Sequence, residues 1–136
     1  MPLVSRKGIL AIAAVVDVAL AARGRPVAAK ALAARNKLPP RHLEPVLQAL
    51  VRDGILKGIR GPRGGYELAR EGKRITAADI LRAASRIEDA DSAPLPGSPL
   101  VNDVVRPALA EAERVFSAAL ARINIEEIVQ RAQTPR

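Results

Sequence analysis

The chain has 136 residues, of which 22 are Lys or Arg and 14 are Asp or Glu, so its formal net charge is +8. This length suits one domain with a hydrophobic core and is too short for two independent domains. The chain has no cysteine and one histidine. It therefore cannot form disulfides or thiolate-bound metal centres, and it offers little for Ser-His-Asp catalysis or imidazole-based metal binding.

The charge is divided unevenly along the chain. Residues 1–75 contain 15 basic and 5 acidic residues, a net charge of +10, whereas residues 76–136 contain 7 basic and 9 acidic residues, a net charge of −2. The basic half predicts an anionic partner. Tyr66 and Phe116 are the two aromatic residues. Their scarcity argues against single-stranded nucleic acid, which proteins bind by aromatic stacking.

Three helices are predicted in the first half, over residues 8–22, 27–36 and 40–53. The third begins with prolines and stops before Gly54, as helices commonly do. The apolar stripe of the first helix is Ile9, Ile12, Ala13, Val16 and Leu20, and that of the third is Leu43, Val46, Leu47, Leu50 and Val51. The first segment looks like an export signal, but Asp17 interrupts it. We therefore expect a cytoplasmic protein with no membrane partner.

A hairpin and three further helices follow. Two strands within residues 55–60 and 65–69 flank a turn of Gly61-Pro62-Arg63-Gly64. Thr76 and Asp79 form a capping box that opens a fourth helix, about 76–87, and a proline-rich connection spans 88–99. A long helix then runs from about residue 100 to 122, where Pro107 should kink it or mark its first turn. A last helix, about 125–133, is capped by Asn124 and Glu127.

Three helices followed by a two-stranded hairpin is the order of a winged helix-turn-helix domain. We predict a mainly α fold with a small β-hairpin, in which the third helix can enter the major groove of DNA. The face opposite its apolar stripe carries Arg41, Glu44, Gln48 and Arg52. These side chains suit base edges and phosphates, whereas for an isolated helix they would indicate no more than a solvated surface.

The turn of the hairpin carries Arg60 and Arg63 between glycines. A slim, cationic turn suits the narrow minor groove, where the negative potential is enhanced. For Arg63, a role in solubility alone remains an alternative. A phosphate-binding loop is the weaker interpretation, because such a loop leads into a helix and this turn leads into a strand.

The segment HLEPVLQALVRDGILKGIRGPRGGYELA, residues 42–69, resembles the Rrf-two family of bacterial transcriptional regulators. The match rests on Leu43-Glu44, Leu50, Gly54-Ile55-Leu56, Arg60-Gly61-Pro62, Gly64-Gly65-Tyr66 and Leu68. SRKG (5–8) and ITAADILRA (75–83) also fit. The resemblance implies phosphate contacts by Ser5, Arg6 and Lys7. It also implies base reading by Arg41 and Glu44, with Gln48 nearby, and minor-groove entry by Arg60.

The resemblance further implies a homodimer that faces a pseudo-palindromic operator. The winged domain would span residues 1–87, and residues 100–136 would hold the dimerisation helix and the last helix. Residues 88–99 would form the loop that connects these two parts. The apolar stripe of the long helix would be the interface, although an intramolecular core would account for the same spacing. Its positions are Val101, Val105, Ala108, Ala112, Val115, Phe116, Ala119 and Ile123.

The chain departs from the family at several points. Members that bind an iron–sulfur cluster carry three cysteines in the stretch corresponding to about residues 88–106, and this chain has none. Glu88, Asp89 and Asp91 in this stretch are expected to be solvated rather than to bind a metal. Pro45 removes a helical hydrogen bond to the Arg41 carbonyl and should stiffen or bend the third helix. His42 stands where an aromatic residue is common, and it is expected to be half-buried rather than to act as a pH sensor.

These observations favour a dimeric regulator that binds double-stranded DNA without a cofactor, most simply a repressor. The alternative is a winged-helix module that binds a protein partner and touches DNA weakly. An enzyme is not supported, because no nucleophile–base set or cofactor motif stands out. The sequence does not identify an effector ligand or a protein partner.

Overall fold

The computed structural model describes residues 4–21, 25–37, 39–91 and 97–133, without the side chains of residues 88–91. Its elements confirm the mainly α fold with one hairpin. They are, in chain order, α1 Arg6–Leu20, α2 Ala29–Arg35, α3 Pro40–Arg52, β1 Leu56–Ile59, β2 Gly65–Leu68, a 3₁₀ helix Gly72–Arg74, α4 Ala77–Asp91, a π-helix Leu100–Val105, α5 Arg106–Ala121 and α6 Ile125–Gln133. None of the helices in these ranges is long and apolar enough to cross a membrane.

The core lies between α1, α3 and α4, and α1 contributes small residues to it. The buried positions of α1 are Gly8, Ala11, Ala14, Val15 and Val18. A Cβ on Gly8 would lie 2.5 Å from Leu81 Cδ2, so glycine lets α1 and α4 approach closely. The apolar stripe that the sequence suggested for α1 is a second face at the edge of this core: Ile9 is 53% and Leu20 is 40% exposed, whereas Ile12 and Val16 are partly buried against the core.

The wing is an antiparallel pair in which Leu56 faces Leu68 and Ile59 faces Gly65. Val27, just before α2, adds an isolated bridge through two 2.9 Å hydrogen bonds with the backbone of Tyr66. Gly65 has φ +154°, and a Cβ there would lie 2.5 Å from the Val27 carbonyl. Glycine at this position therefore allows the wing to dock on the helical domain.

The second half of the chain confirms some boundaries and extends others. Asp79 N–H donates to Thr76 Oγ1 and Thr76 N–H donates to Asp79 Oδ2, both at 3.1 Å, which is the expected capping box. However, α4 continues to Asp91, beyond the expected end near residue 87, and residues 92–96 of the predicted connection lie outside the described residues. Pro107 lies in the first turn of α5, as expected.

The last helix returns to the winged domain. The N–H of Ile125 donates to the Ile75 carbonyl at 2.9 Å, and the N–H of Ala77 donates to the Ile123 carbonyl at 2.8 Å. The Ile125 side chain is fully buried in the same core as α1, α3 and α4. The sequence placed α6 after the long helix, and these contacts return it to the core that supports α3.

Candidate nucleic-acid interface

α3 has one buried face and one open face. Leu43, Val46, Leu47 and Leu50 are at most 2% exposed and fill the core. Arg41, Glu44, Gln48 and Arg52 are all exposed. Two expectations about this helix were wrong. Val51, assigned to the apolar stripe, is 38% exposed, and His42, expected to be half-buried, is exposed, because the core takes the neighbouring Leu43, Leu47 and Leu50 instead.

The C-terminal end of α3 is closed by a tight turn. Gly54 has φ +75°, and its N–H donates to the Val51 carbonyl at 3.0 Å. The N–H of Ile55 reaches back to the Leu50 carbonyl at 2.9 Å, and both side chains are buried. This is a Schellman motif, and it leads the chain directly from α3 into β1. The helix and the wing are therefore held in a defined relation.

The wing presents its two arginines at an exposed turn. The Gly64 N–H donates to the Gly61 carbonyl at 2.9 Å, which closes the turn around Pro62 and Arg63. Arg60 and Arg63 are both exposed. A Cβ on Gly64 would lie 2.1 Å from the Ile59 carbonyl oxygen, so the turn has no room for a side chain there. The sequence predicted a slim cationic tip, and the structure contains one.

The N-terminus of α1 brings together the residues assigned to phosphate contacts. Ser5 is the N-cap, and its Oγ accepts a 3.0 Å hydrogen bond from the Gly8 N–H. Ser5 and Arg6 are exposed, and Lys7 is partly exposed. The first turn of a helix has free N–H groups and a positive dipole end, so it favours an anion such as a phosphate.

The arginines on the open face of α3 and on the wing tip lack the acidic partners that several other Lys and Arg side chains have. Among the described residues, no acidic side chain pairs with Arg41, Arg52, Arg60 or Arg63. Cations paired with an acid include Arg35, Lys57, Arg70, Lys73, Arg82, Arg86 and Arg114. The charges of these four arginines are therefore not paired with an acid within the described part of the chain.

Asp17 forms an ion pair between α1 and α2. Its Oδ1 accepts a 2.9 Å hydrogen bond from Arg35 Nη1, and its side chain is 16% exposed. The neighbouring Asn36 Nδ2 donates to the Leu32 carbonyl at 2.7 Å. The contact with Arg35 links the C-terminal part of α1 to the end of α2, and Asn36 Nδ2 also lies 3.5 Å from Asp17 Oδ2.

The long helix forms a second exposed surface. Neither the π-helix nor α5 contains a buried residue among those described. Of the stripe assigned to dimerisation, Val105, Ala108, Ala112, Val115, Ala119 and Ile123 are exposed, and Val101 and Phe116 are partly exposed. Leu100 and Leu109, which the stripe did not include, are 64% and 53% exposed. The spacing rule missed them because they lie beside the stripe rather than on it.

A groove continues this surface onto the winged domain. It has a volume of about 790 Å³ and lies between α1 and the two last helices. Its walls include Ile9, Ile12, Val16, Leu20, Phe116 and Ile128. The second apolar face of α1 is thus continuous with the side of α5 that carries Phe116, which gives one extended apolar surface.

The polar side of α5 carries an exposed ion pair. Arg114 Nη2 lies 2.5 Å from Glu111 Oε1, and Arg114 Nε lies 3.1 Å from Glu111 Oε2. The hydrogen bonds from the guanidinium lower the pKa of Glu111, and the same contact raises the pKa of Arg114. Both groups remain charged at neutral pH, so this side of α5 favours solvent.

The described residues offer no set of ligands for a metal or a cluster. No group of three His, Cys, Asp or Glu side chains converges within them. The whole chain lacks cysteine, and its one histidine, His42, lies on the exposed face of α3. The side chains of Glu88, Asp89 and Asp91 lie outside the described residues. The residues present do not fit an iron–sulfur cluster, because its irons are held mainly by thiolates.

The fold and the open cationic face define a class of protein, the winged helix-turn-helix regulators, rather than an enzyme. Two solved structures have the same fold over nearly the full chain. CymR, the global cysteine regulator of B. subtilis, gives a TM-score of 0.74 at 25% identity, covering 96% of this chain and 98% of CymR. IscR of T. potens gives a TM-score of 0.76 at 28% identity, covering 99% of this chain and 93% of IscR.

The chain belongs to the Rrf2 (Rrf-two) family, whose model, described as an iron-dependent transcriptional regulator, matches residues 4–131. A protein of Mycobacterium tuberculosis named as an HTH-type transcriptional regulator is 44% identical over 78 residues, 57% of this chain and 48% of that protein. The HTH-type transcriptional regulator IscR of Xenorhabdus nematophila is 34% identical over 84 residues, which are 62% of this chain and 51% of that protein. The matches thus span about half the length of these curated relatives.

Proposed function

We propose that this protein is a dimeric transcription regulator that binds a pseudo-palindromic DNA operator and acts as a repressor without an iron–sulfur cluster. α3 enters the major groove and reads bases with Arg41, Glu44 and Gln48, and Arg60 enters the minor groove. The observation that carries this proposal is that the exposed arginines of α3 and of the wing have no acidic partner among the described residues. Such charge is the usual basis of affinity for phosphates.

The phosphate contacts complete the proposed interface. Arg6 and Lys7 at the N-terminus of α1 meet the backbone together with the Ser5 hydroxyl, and Arg63 contributes from the tip of the wing. The net charge of +10 over residues 1–75 supports this arrangement. Contacts to phosphates orient the protein on DNA, whereas contacts to base edges select the sequence.

The homodimer is supported by the long helix. Val105 and Val115 are 43% and 55% exposed in the single chain, and the groove beside α1 continues the same apolar surface. Exposed apolar surface of this extent is typical of a protein–protein interface. A second copy presents the same surface, so a two-fold axis can bury both at once. Two winged domains would then face two half-sites.

The proposal is tested by selecting genomic DNA fragments with the purified protein, without added metal, at about 0.15 M salt. We expect one inverted-repeat motif, and the selected fragments should repress a reporter when placed at its promoter. A variant lacking one arginine of α3 and one of the wing, Arg41→Ala with Arg60→Ala, should lose the motif. Recovery of fragments without a shared motif would overturn the proposal and favour the alternative, a winged-helix module assembled with a protein partner.

A further inference from the structure

We propose that Pro45 is a specificity-determining residue that reads the 5-methyl group of a thymine in each operator half-site. This inference rests on the proposed function, because it assumes that α3 lies in the major groove. It assigns a role to a residue that is otherwise unexplained in a recognition helix. The group that Pro45 would recognise is the thymine methyl, which is apolar on an otherwise polar base edge.

The position of Pro45 places it at the centre of the open face of α3. Residues four and seven positions apart share a helix face, so Arg41, Pro45, Gln48 and Arg52 lie in one row, with Glu44 beside it. All five side chains are exposed. The next two residues, Val46 and Leu47, turn into the core and are 2% and 0% exposed. A helix that reads bases with Arg41 and Gln48 must also bring Pro45 against the base edges.

Neither packing nor helix formation explains a proline at this position. Pro45 lies inside α3, where it has no N–H to donate to the Arg41 carbonyl, and an interior proline normally weakens or bends a helix. Proline is favoured in the first turn, and Pro40 already occupies that position. The Pro45 ring is exposed, so it does not pack in the core and the lost hydrogen bond is not offset there. Local rules are often broken in this way at functional sites.

The chemistry of the ring selects one kind of base. Its neighbours Arg41, Glu44 and Gln48 can all form hydrogen bonds, whereas the Pro45 ring offers carbon atoms and no donor or acceptor. In the major groove, thymine is the base that presents an apolar group, its C5-methyl. A polar base edge pressed against the ring would lose hydrogen bonds to water without replacement. The thymine methyl loses nothing and gains contact with the ring.

The test replaces each thymine of the selected operator by deoxyuridine, one symmetric pair at a time, and measures the dissociation constant of the dimer. This change removes one methyl and leaves base pairing intact. At one position we expect a loss of affinity of about fourfold per half-site, or about 16-fold for the symmetric pair, the factor expected for burying one methyl-sized group in each half-site. At thymines that the protein contacts only through the DNA sugar-phosphate backbone, we expect no change in the dissociation constant.

Pro45→Gln is the decisive variant, because glutamine is a good helix former with a polar side chain. It should have an equal or higher melting temperature and bind thymine and deoxyuridine operators equally. The matched control is Gln48→Ala on the same face, which should lose affinity but keep the response to deoxyuridine. A role of Pro45 in helix geometry alone would change affinity for both operators in parallel.

The outcomes separate this inference from the proposed function. If no motif is selected from genomic DNA, both are overturned. If a motif is selected but no deoxyuridine substitution weakens binding, or if Pro45→Gln keeps the same response, the readout by Pro45 is overturned and the proposed function stands.

Discussion

Asp53, at the C-terminal end of α3, accepts a 2.8 Å hydrogen bond from Nη1 of Arg86, which projects from α4. The Asp53 side chain is 13% exposed and that of Arg86 is 57% exposed. A carboxylate is unfavourable at a helix C-terminus, where the dipole is negative. Arg86 offsets this, so the pair fixes α3 to α4, which also contacts the long helix.

Removing Arg86 should therefore destabilise the protein. We expect Arg86→Ala to lower the free energy of unfolding by about 1 kcal/mol, since it leaves a largely buried carboxylate without its partner. Asp53→Asn should cost less, because a neutral amide is not repelled by the helix dipole. Urea denaturation of both variants measures this. Arg82→Ala is the control, since its pair with Asp79 is longer, at 3.6 Å, and more exposed. An equal loss for Arg82→Ala would contradict the prediction.

Because the wing docks on Val27, alanine substitutions at two wing glycines should differ sharply in their effect on stability. Gly65→Ala should destabilise the protein by about 1–3 kcal/mol, because a Cβ would lie 2.5 Å from the Val27 carbonyl at a φ of +154°. Gly58→Ala, on the facing strand, should change stability little, since nothing lies within 4 Å of its Cβ position. Thermal unfolding compares the two. Equal melting temperatures would mean that the wing does not dock as described.

The proposed dimer interface can be tested with one charge. Val115 is 55% exposed in the single chain, so Val115→Asp should leave the folded monomer intact. In a dimer, the substitution would bury two carboxylates in an apolar contact, which is strongly unfavourable. We expect sedimentation to show monomers over the micromolar range. Ser117→Asp, on the opposite side of α5, should remain dimeric. A dimeric Val115→Asp protein would exclude this stripe as the interface.

The wing and the start of α1 should contribute to DNA binding in different ways. Arg60→Ala should relax the sequence preference at one position in each half-site, because a minor-groove arginine responds to local DNA shape. Lys7→Ala should weaken binding to all sequences alike and reduce the salt slope by about 1. Binding to the selected operator and to a shuffled sequence, at several salt concentrations, measures both. Arg131→Ala, on α6, controls for loss of one charge. Equal weakening of both sequences by Arg60→Ala would exclude minor-groove readout by Arg60.

The sequence by itself determined the features that depend on neighbouring residues. The capping box at Thr76 and Asp79, the Gly54 stop after α3 and the glycine turn of the wing are all made by residues a few positions apart, and each was predicted correctly. The order of helices and hairpin then indicated the winged fold. Short-range hydrogen bonds and special backbone angles decide such features, so the residue types are enough.

The tertiary structure decided which surfaces meet. α1 is apolar on two faces, and periodicity could not tell that the small residues around Ala11 and Ala14 face the core while Ile9 and Leu20 line an open groove. Likewise, the burial of Ile125 beside α1 joins residues far apart in the chain. The same holds for the contact between Asp53 and Arg86. Such contacts depend on how the elements pack against each other, and local composition carries no information about that packing.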